Sequence, residues 1–597
     1  MEPIGRLLSA GRLLPAVLLP ALLLEGAAGA QVRPQSEIRS GSQSGTQTPA
    51  VGTPRYDILI RHGHIVDGTG SPWYSGDLAV RDGRIAGIAP AGTLRSADAR
   101  QTIDAHGLIV APGFIDMLGQ SERTILTQPH VSSKLFQGIT TEVTGEGSSI
   151  APRSEAMLAA NDPAANQPAV TPPSGVAAAT PEFRTLADYF RRLEAQGIAI
   201  NLATYVGAAT VRRIVLGDED RAPTPAELAQ MQTLVRDAMH DGAMGVSTSL
   251  MYAPGVYART PELIALASTA AESGGIYATH LRSEADGLLP AIDEAVTIGR
   301  EAHIAVEIFH LKVAGPSNWG RMPEVIRRIE AARVEGVDIA ADTYAYLVSG
   351  NPGSALLPPW VHDGGTAAMV GRLNDPATRL KIRDSILHDH TWDNEWFMVQ
   401  SPAGITLAGT SQPALKPYTG QSFAAIALAR HTDAIDTALD LLAADPRLSV
   451  LLATMSERDV TLALEQPWVS IGLDGWGTSP EASVGRHPRA FGTFPHVVRK
   501  YVREDRVLTL PDAIRKFSAL PAARLHLGDR GVLKAGMWAD VVVFDPATFA
   551  DTATFPQPNQ LAKGMQWVLV NGVPVIANGV LTDALPGRPL RGAGFQP

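Results

Sequence analysis

The stretch from Tyr277 to Trp319 reads YATHLRSEADGLLPAIDEAVTIGREAHIAVEIFHLKVAGPSNW. An apolar run, Ile276 to Thr279, ends in His280. A helical segment follows from Leu288 to Glu301. A second apolar run, Ile304 to Phe309, ends in His310. Strand, helix and strand in that order form a crossover unit with parallel strands, so both imidazoles fall at the same end. In a (β/α)8 barrel that end carries the chemistry. One histidine at a strand end reads as a hydrogen-bonded core residue. Two in the same setting point to ligation of a divalent metal such as zinc.

Working outward, the same alternation runs from Ala111 onward. Eight apolar segments read as strands: Gly113–Met117, Thr140–Thr144, Asn201–Val206, Ala243–Ser247, Gly275–Thr279, Ile304–Phe309, Val337–Ala341 and Val469–Leu473. Helical segments such as Pro225 to His240 and Pro323 to Glu335 separate them. Eight parallel strands alternating with helices predict an α/β fold of the (β/α)8 TIM-barrel type over residues 111–525. Two connections are too long to be simple loops. Ala151 to Pro181, rich in Ala and Pro, reads as a mobile surface loop. Residues 351–456 separate strands seven and eight and read as a lid over the active-site end. Its apolar wall is expected from Leu356, Leu357, Trp360, Trp392, Trp396 and Phe397.

Before the barrel, residues 55–110 carry short strands broken by Asp67-Gly68-Thr69-Gly70 and Asp82-Gly83 turns. After it, residues 526–597 carry Val541–Phe544 and two short strands around Asn571-Gly572. Together these segments predict a small discontinuous β-sandwich with the barrel inserted. The His62-Gly63-His64 triplet lies in that unit. No acidic or imidazole partner stands near it in the sequence, so it reads as a pair of surface histidines.

These pieces resemble the amidohydrolase superfamily, and within it the N-acyl-D-amino-acid deacylases (D-aminoacylases), from about Tyr56 to Ile576. The resemblance rests on Asp67-Gly68-Thr69-Gly70, Pro112-Gly113-Phe114-Ile115-Asp116, Gly138-Ile139-Thr140-Thr141 and Tyr277-Ala278-Thr279-His280-Leu281-Arg282-Ser283-Glu284. It rests also on Gly315-Pro316-Ser317-Asn318-Trp319-Gly320-Arg321 and His487-Pro488-Arg489-Ala490-Phe491-Gly492-Thr493-Phe494-Pro495. It implies metal-assisted hydrolysis of an amide at a D-amino acid. It implies His280 and His310 as zinc ligands and Asp474, in Gly472-Leu473-Asp474-Gly475, as the general acid/base. Lys312, Tyr344 and Arg489 would hold the substrate carboxylate.

The sequence departs from that pattern twice. The strand-one H-x-H would follow Phe114-Ile115-Asp116, where Met117-Leu118-Gly119-Gln120 stands instead. The bridging cysteine after strand two is also missing, since the chain has no cysteine, and Thr144-Gly145-Glu146-Gly147 occupies that place. A carboxylate can replace a thiolate on zinc. Glu146 is therefore read as the third ligand beside His280 and His310, or else as a hydrogen-bonding partner behind them. The expectation is one zinc ion, with a second site in doubt. Asp342, at the end of strand seven, is a weaker candidate for supporting the ligands.

Chemistry and composition bound the rest. Zinc lowers the pKa of bound water to about 7. Arg489 can bind a carboxylate bidentately and Lys312 adds a point charge, so the substrate is expected to be a small molecule with a free carboxylate. With the resemblance, the leading reading is a zinc hydrolase cleaving N-acyl-D-amino acids or dipeptides with a C-terminal D residue; two other readings stay open, an amidohydrolase acting on a cyclic amide or another dipeptide, and a metal-free, non-catalytic binding homologue. The 597 residues are 45% hydrophobic and 18% charged, ordinary for a globular enzyme. A net charge of −10 without a basic stripe argues against nucleic acid. Absence of cysteine excludes disulfides and thiolate nucleophiles. Residues 1–30 read as an export signal: Arg6 and Arg12, the apolar Leu13 to Leu24, then Ala28-Gly29-Ala30. Residues 31–54 read as a disordered linker. Export, to the periplasm, without stable membrane insertion after cleavage is the expected destination.

Overall fold

The computed structural model describes residues 54–159, 183–482 and 487–597. The expected signal and linker lie outside these residues, apart from Pro54, as does most of the expected loop at 151–181. No helix among the described residues is long and apolar enough to cross a membrane.

Eight strand positions form the barrel. They are Phe114–Asp116, Ile139–Thr144, Asn201–Thr204 continued by Val206–Gly207, Gly245–Ser249, Ile276–His280, Val306–Ile308, Ile339–Thr343 and Val469–Ile471. Neighbours pair in parallel throughout. The ring closes just beyond strands one and eight, where Asp474 N–H donates to Leu118 O (2.8 Å) and Gln120 N–H to Gly475 O (3.2 Å). The expected strands are all present, displaced by at most a few residues. The fold is thus the anticipated TIM barrel.

The helix Leu288–Glu301 shows why the sequence folds this way. Leu288, Ile292, Ala295 and Ile298 are buried against the barrel, the i, i+3, i+4 spacing of a single helical face. Elsewhere the helix Pro225–Asp241 opens with a capping box between Thr224 and Glu227, a proline in its first turn, and a left-handed Gly242 at its end.

The terminal segments build one hydrogen-bonded sheet of nine described strands. Val541–Phe544 pairs antiparallel with Ile109–Pro112, which ties the C-terminal part to the N-terminal part directly. Both parts share an apolar core that includes Ile58, Ile60, Leu78, Val541, Val543 and Trp567. Tyr56–Ile65 is one strand, which bulges between Ile60 and Gly63. His62 sits in that bulge at φ 59° and does have an acidic partner, Asp104, 3.1 Å away. His64 stacks on Trp73. The two histidines share no metal-ligand cluster with other groups among the described residues. The tail beyond Leu581 leaves the sheet and returns to the barrel, where Gly587 and Leu590 donate to Ile198 O and Leu202 O.

The insertion begins at Val348, earlier than Asn351. Val348–Pro352, Ser449–Ala453 and Ile405–Gly409 form a three-stranded antiparallel sheet. Gly350 and Pro352 weaken the strand signal of the first member, which is why the sequence does not display it. Helices over 365–388 and 423–444 pack on that sheet around a separate core. Leu356 and Trp396 belong to this core, with Trp396 Nε1–H bonded to Leu356 O (3.0 Å), so they are not cavity wall. Leu357, Trp392 and Phe397 do line a cavity between insertion and barrel.

Candidate active site

Glu146 projects from the end of strand two between two glycines. Gly145 and Gly147 have φ of 94° and 62°. A Cβ on Gly145 would come within 2.7 Å of Tyr205 O, and one on Gly147 within 2.4 Å of Ser249 Cβ. Only glycine fits that turn, and the turn aims Glu146 across the barrel mouth. Its Oε1 lies 3.0 Å from His280 Nδ1 and 3.1 Å from His310 Nε2. The two imidazoles meet edge to face at 4.4 Å between centroids. These three residues form a metal-competent group in which the ligand atoms all lie within 4.8 Å of one another. His310 takes φ 35° and Asp474 φ 53°. Such left-handed non-glycine residues cost about 1–3 kcal/mol each and collect at functional sites.

The charge balance of this group suits a cation. Burial would raise the Glu146 pKa, but hydrogen bonds with His280 and His310 hold it well below the usual carboxylate range. Burial lowers the His280 pKa. Burial and Lys312 also oppose charging of His310, yet Glu284 and Glu146 outweigh them and push it up to about 10. His280 Nε2 is buried without a hydrogen-bond partner. Two imidazoles and one carboxylate with further room in the cavity form a three-ligand donor set of the kind catalytic zinc uses.

The remaining candidates fall around this group. Asp474 reaches the same cavity from beyond strand eight. Arg489 Nη1 lies 2.7 Å from Asp474 Oδ2. Tyr344 is absent from the cavity wall. Its ring lies under both cations instead, 4.9 Å from the Arg489 guanidinium carbon and 5.6 Å from Lys312 Nζ. Lys312 lines the cavity, but its ammonium is already engaged by Glu284 Oε1 (2.7 Å) and His310 Nδ1 (2.8 Å). Both expected carboxylate-binding cations line the cavity and each already meets a carboxylate of the protein, Lys312 that of Glu284 and Arg489 that of Asp474. Asp342 Oδ1 accepts the His310 backbone N–H (3.0 Å), which fixes the strand-six tip as anticipated for a supporting residue.

Four contributors escape a sequence reading. Gln120 stands where the second H-x-H histidine would be. Its Nε2 donates to both Glu146 Oε2 and Asp474 Oδ1, each at 3.0 Å, linking the ligand group to the acid/base. Glu284 lies in the quoted motif, but its contacts with Lys312 and His310 (Nδ1 at 3.0 Å) appear only in three dimensions. His487 accepts from the Arg489 N–H at Nδ1 (3.0 Å) and donates from Nε2 to Val348 O (2.7 Å), so it joins Arg489 to the insertion as a neutral imidazole. Lys134 is fully buried. Its Nζ meets Asp116 Oδ2 (2.5 Å), Glu142 Oε2 (2.8 Å) and Gly475 O (2.9 Å). It sits at the seam that carries Gln120 and Asp474.

Comparison with known proteins follows the same outline. A family model described as "Amidohydrolase family" matches residues 101–354 and 410–576. The D-aminoacylase of Alcaligenes xylosoxydans xylosoxydans is 35% identical over 536 residues, covering 90% of this chain and 97% of the relative. The N-acyl-D-aspartate deacylase of the same organism is 36% identical over 523 residues, covering 86% and 91%. Among solved structures, the N-acyl-D-glutamate deacylase of Bordetella bronchiseptica was crystallised with zinc and a phosphonate mimic of the tetrahedral intermediate. It superposes with a TM-score of 0.74 at 34% identity, covering 90% of this chain and all of that one. A D-aminoacylase structure concerned with a binuclear metal centre gives 0.74 at 31% identity, with the same coverage.

Proposed function

Since the chain belongs to the amidohydrolase family and is a hydrolase of amide bonds, we propose that it deacylates N-acyl-D-amino acids with one zinc ion held by Glu146, His280 and His310. The observation that carries this reading is the meeting of those three side chains with Asp474 in one cavity, joined through Gln120. A zinc ion held there supplies Lewis acidity, which makes an amide carbonyl more electrophilic and a water more acidic. The count of one rests on the first strand, where Leu118 and Gln120 stand in place of two histidines and the Gln120 amide is spent on Glu146 and Asp474.

The chain's own residues do the rest. Asp474 takes the proton of the attacking water at a carboxylate oxygen and returns it to the departing amine nitrogen. The Gln120 N–H holds Asp474 Oδ1 in place for both transfers. Arg489 offers the substrate carboxylate a planar, always-charged partner, backed by the Tyr344 ring. The insertion strands cover the cavity at Gly350, Ser449 and Leu451 and limit access of water.

The direct test is hydrolysis of N-acetyl-D-amino acids against their L enantiomers by purified protein, with and without chelator. Release of free D-amino acid, abolished by chelation and restored by zinc, supports the reading. Equal rates on both enantiomers, or none on either, defeats it. We also read residues 1–30 as an export signal directing the protein to the periplasm. The support is the order of basic residues, apolar run and Ala-Gly-Ala in the sequence.

A further inference from the structure

The two ligand histidines each turn one ring nitrogen to Glu146, His280 its Nδ1 and His310 its Nε2. The opposite nitrogens face a second carboxylate. Glu284 Oε1 lies 3.0 Å from His310 Nδ1 and 3.7 Å from His280 Nε2. Two carboxylates thus bracket one pair of imidazoles. Glu284 is buried and stands behind the histidines, not on the cavity wall.

The two sides of the pair are not equivalent. Lys312 Nζ occupies the Glu284 side, 2.7 Å from Glu284 Oε1 and 2.8 Å from His310 Nδ1. A metal ion beside that ammonium would be repelled. The Glu146 side opens to the cavity instead. An ion held by the histidines therefore sits with Glu146, and Glu284 lies on the far side of both rings.

An imidazole that gives one nitrogen to a metal carries its proton on the other, and that N–H needs an acceptor. The acceptor fixes the tautomer and the ring direction and makes the ligating nitrogen more basic. An ionised carboxylate is suited to this, because it only accepts. Glu284 is within reach of His310 Nδ1 directly. His280 Nε2, buried without a hydrogen-bond partner, faces the same oxygen from just beyond hydrogen-bond range.

The fold fixes Glu284 from several directions. It lies in the turn after strand five. Its backbone N–H donates to Asp393 Oδ2 of the insertion (2.8 Å), and its carbonyl accepts from Ala314 N–H beyond strand six (2.8 Å). The neighbouring Ser283 Oγ donates to Asp393 Oδ1 (2.5 Å). Strand five, strand six and the insertion together set the place of this one carboxylate.

Resting on the zinc reading of Glu146, His280 and His310, we infer that Glu284 is a positioning residue of the metal centre, which backs the ligand histidines from the side away from the ion. The competing role is neutralisation of Lys312 alone. Removing both charges separates the two roles.

The test is zinc affinity without substrate, read by competition with a chromogenic chelator. It compares wild type, Lys312→Met, and Lys312→Met combined with Glu284→Leu. Replacing a buried ion pair by apolar residues is often neutral for stability, so the zinc-free double variant should melt close to zinc-free wild type. Lys312→Met should bind zinc at least as tightly as wild type. The double variant should bind it about 10- to 100-fold more weakly, the usual effect of losing a partner behind a ligand histidine. If the double variant does not fold, Glu284→Gln, which keeps the shape and loses the charge, should weaken zinc binding in the same direction. A double variant that binds zinc as tightly as wild type would show that Glu284 only neutralises the lysine. An equal loss in Lys312→Met and the double variant would assign the support to Lys312. Either result overturns the inference and leaves the zinc reading intact. Wild type that binds no zinc defeats the zinc reading itself.

Discussion

Arg489 Nη1 stands 2.7 Å from Asp474 Oδ2, so the cation expected to recognise substrate and the carboxylate expected to move the proton are in contact. Both belong to segments after strand eight, and His487 ties the arginine to the insertion. Binding of a substrate carboxylate to Arg489 and availability of Asp474 are thereby brought into one small volume.

This contact gives a first prediction. Losing a charge-assisted hydrogen bond costs about 1.5–3 kcal/mol, or roughly ten- to two-hundredfold in kcat/KM. Arg489→Ala should show that defect on the free-acid substrate and a much smaller further defect on the carboxamide. The two changes remove opposite ends of one interaction and should not add. Asp474→Asn should lose turnover on both while still retaining metal. Steady-state kinetics on the acid and amide pair decide this, and equal losses for Arg489→Ala would make Arg489 structural only.

Gln120 joins Glu146 to Asp474 and should separate positioning from ligation. Gln120→Ala removes two hydrogen bonds worth about 1 kcal/mol net each. We expect kcat to fall by about tenfold or more, with metal content unchanged. A variant that loses its metal instead would mean that Gln120 supports the ligand group rather than the acid/base.

Lys134 should matter for stability. Its removal leaves Asp116 and Glu142 buried without their cation, a change that costs about 3–5 kcal/mol. Lys134→Met should lower Tm sharply, and adding Glu142→Gln should recover part of the loss. Burial opposes the charge on Lys134, but Asp116 and Glu142 outweigh it and hold its pKa above the ordinary 10.5. The folded value is raised, so this contribution is complete below pH 10.5 and is lost only as pH rises through the higher folded value. Chemical denaturation at neutral pH and above pH 10.5 should show the wild-type advantage over Lys134→Met shrinking at the alkaline end.

The export reading has its own test. Protein recovered from native envelope fractions should begin at Gln31 or close to it, by N-terminal sequencing. An intact Met1 on membrane-bound protein would contradict it.

How much of this was legible in the sequence depends on the range of each interaction. The barrel was legible because each strand, helix and terminal histidine is a local pattern, as in Tyr277 to Trp319. Glu146 was legible as a candidate because it is the acidic residue standing in the place of the missing cysteine, and the structure brings it to His280 and His310. Gln120 and Lys134 were not, since their partners at Asp474 and Gly475 lie 354 and 341 residues away. The contact of Lys312 with Glu284, 28 residues earlier, was hidden in the same way. The insertion sheet was hidden by Gly350 and Pro352, which look like turn residues until Ser449–Ala453 pairs with them.

The central claim is that Glu146, His280 and His310 hold the metal on which hydrolysis depends. Its most direct test is metal content and activity measured on the same preparations of wild type, Glu146→Ala, His280→Ala and His310→Ala. We predict one zinc per wild-type chain, activity that disappears with the metal on chelation and returns with it, and loss of both in each of the three variants. Full activity in metal-free wild type, or a His280→Ala or His310→Ala variant that keeps its zinc and its turnover, would contradict the account.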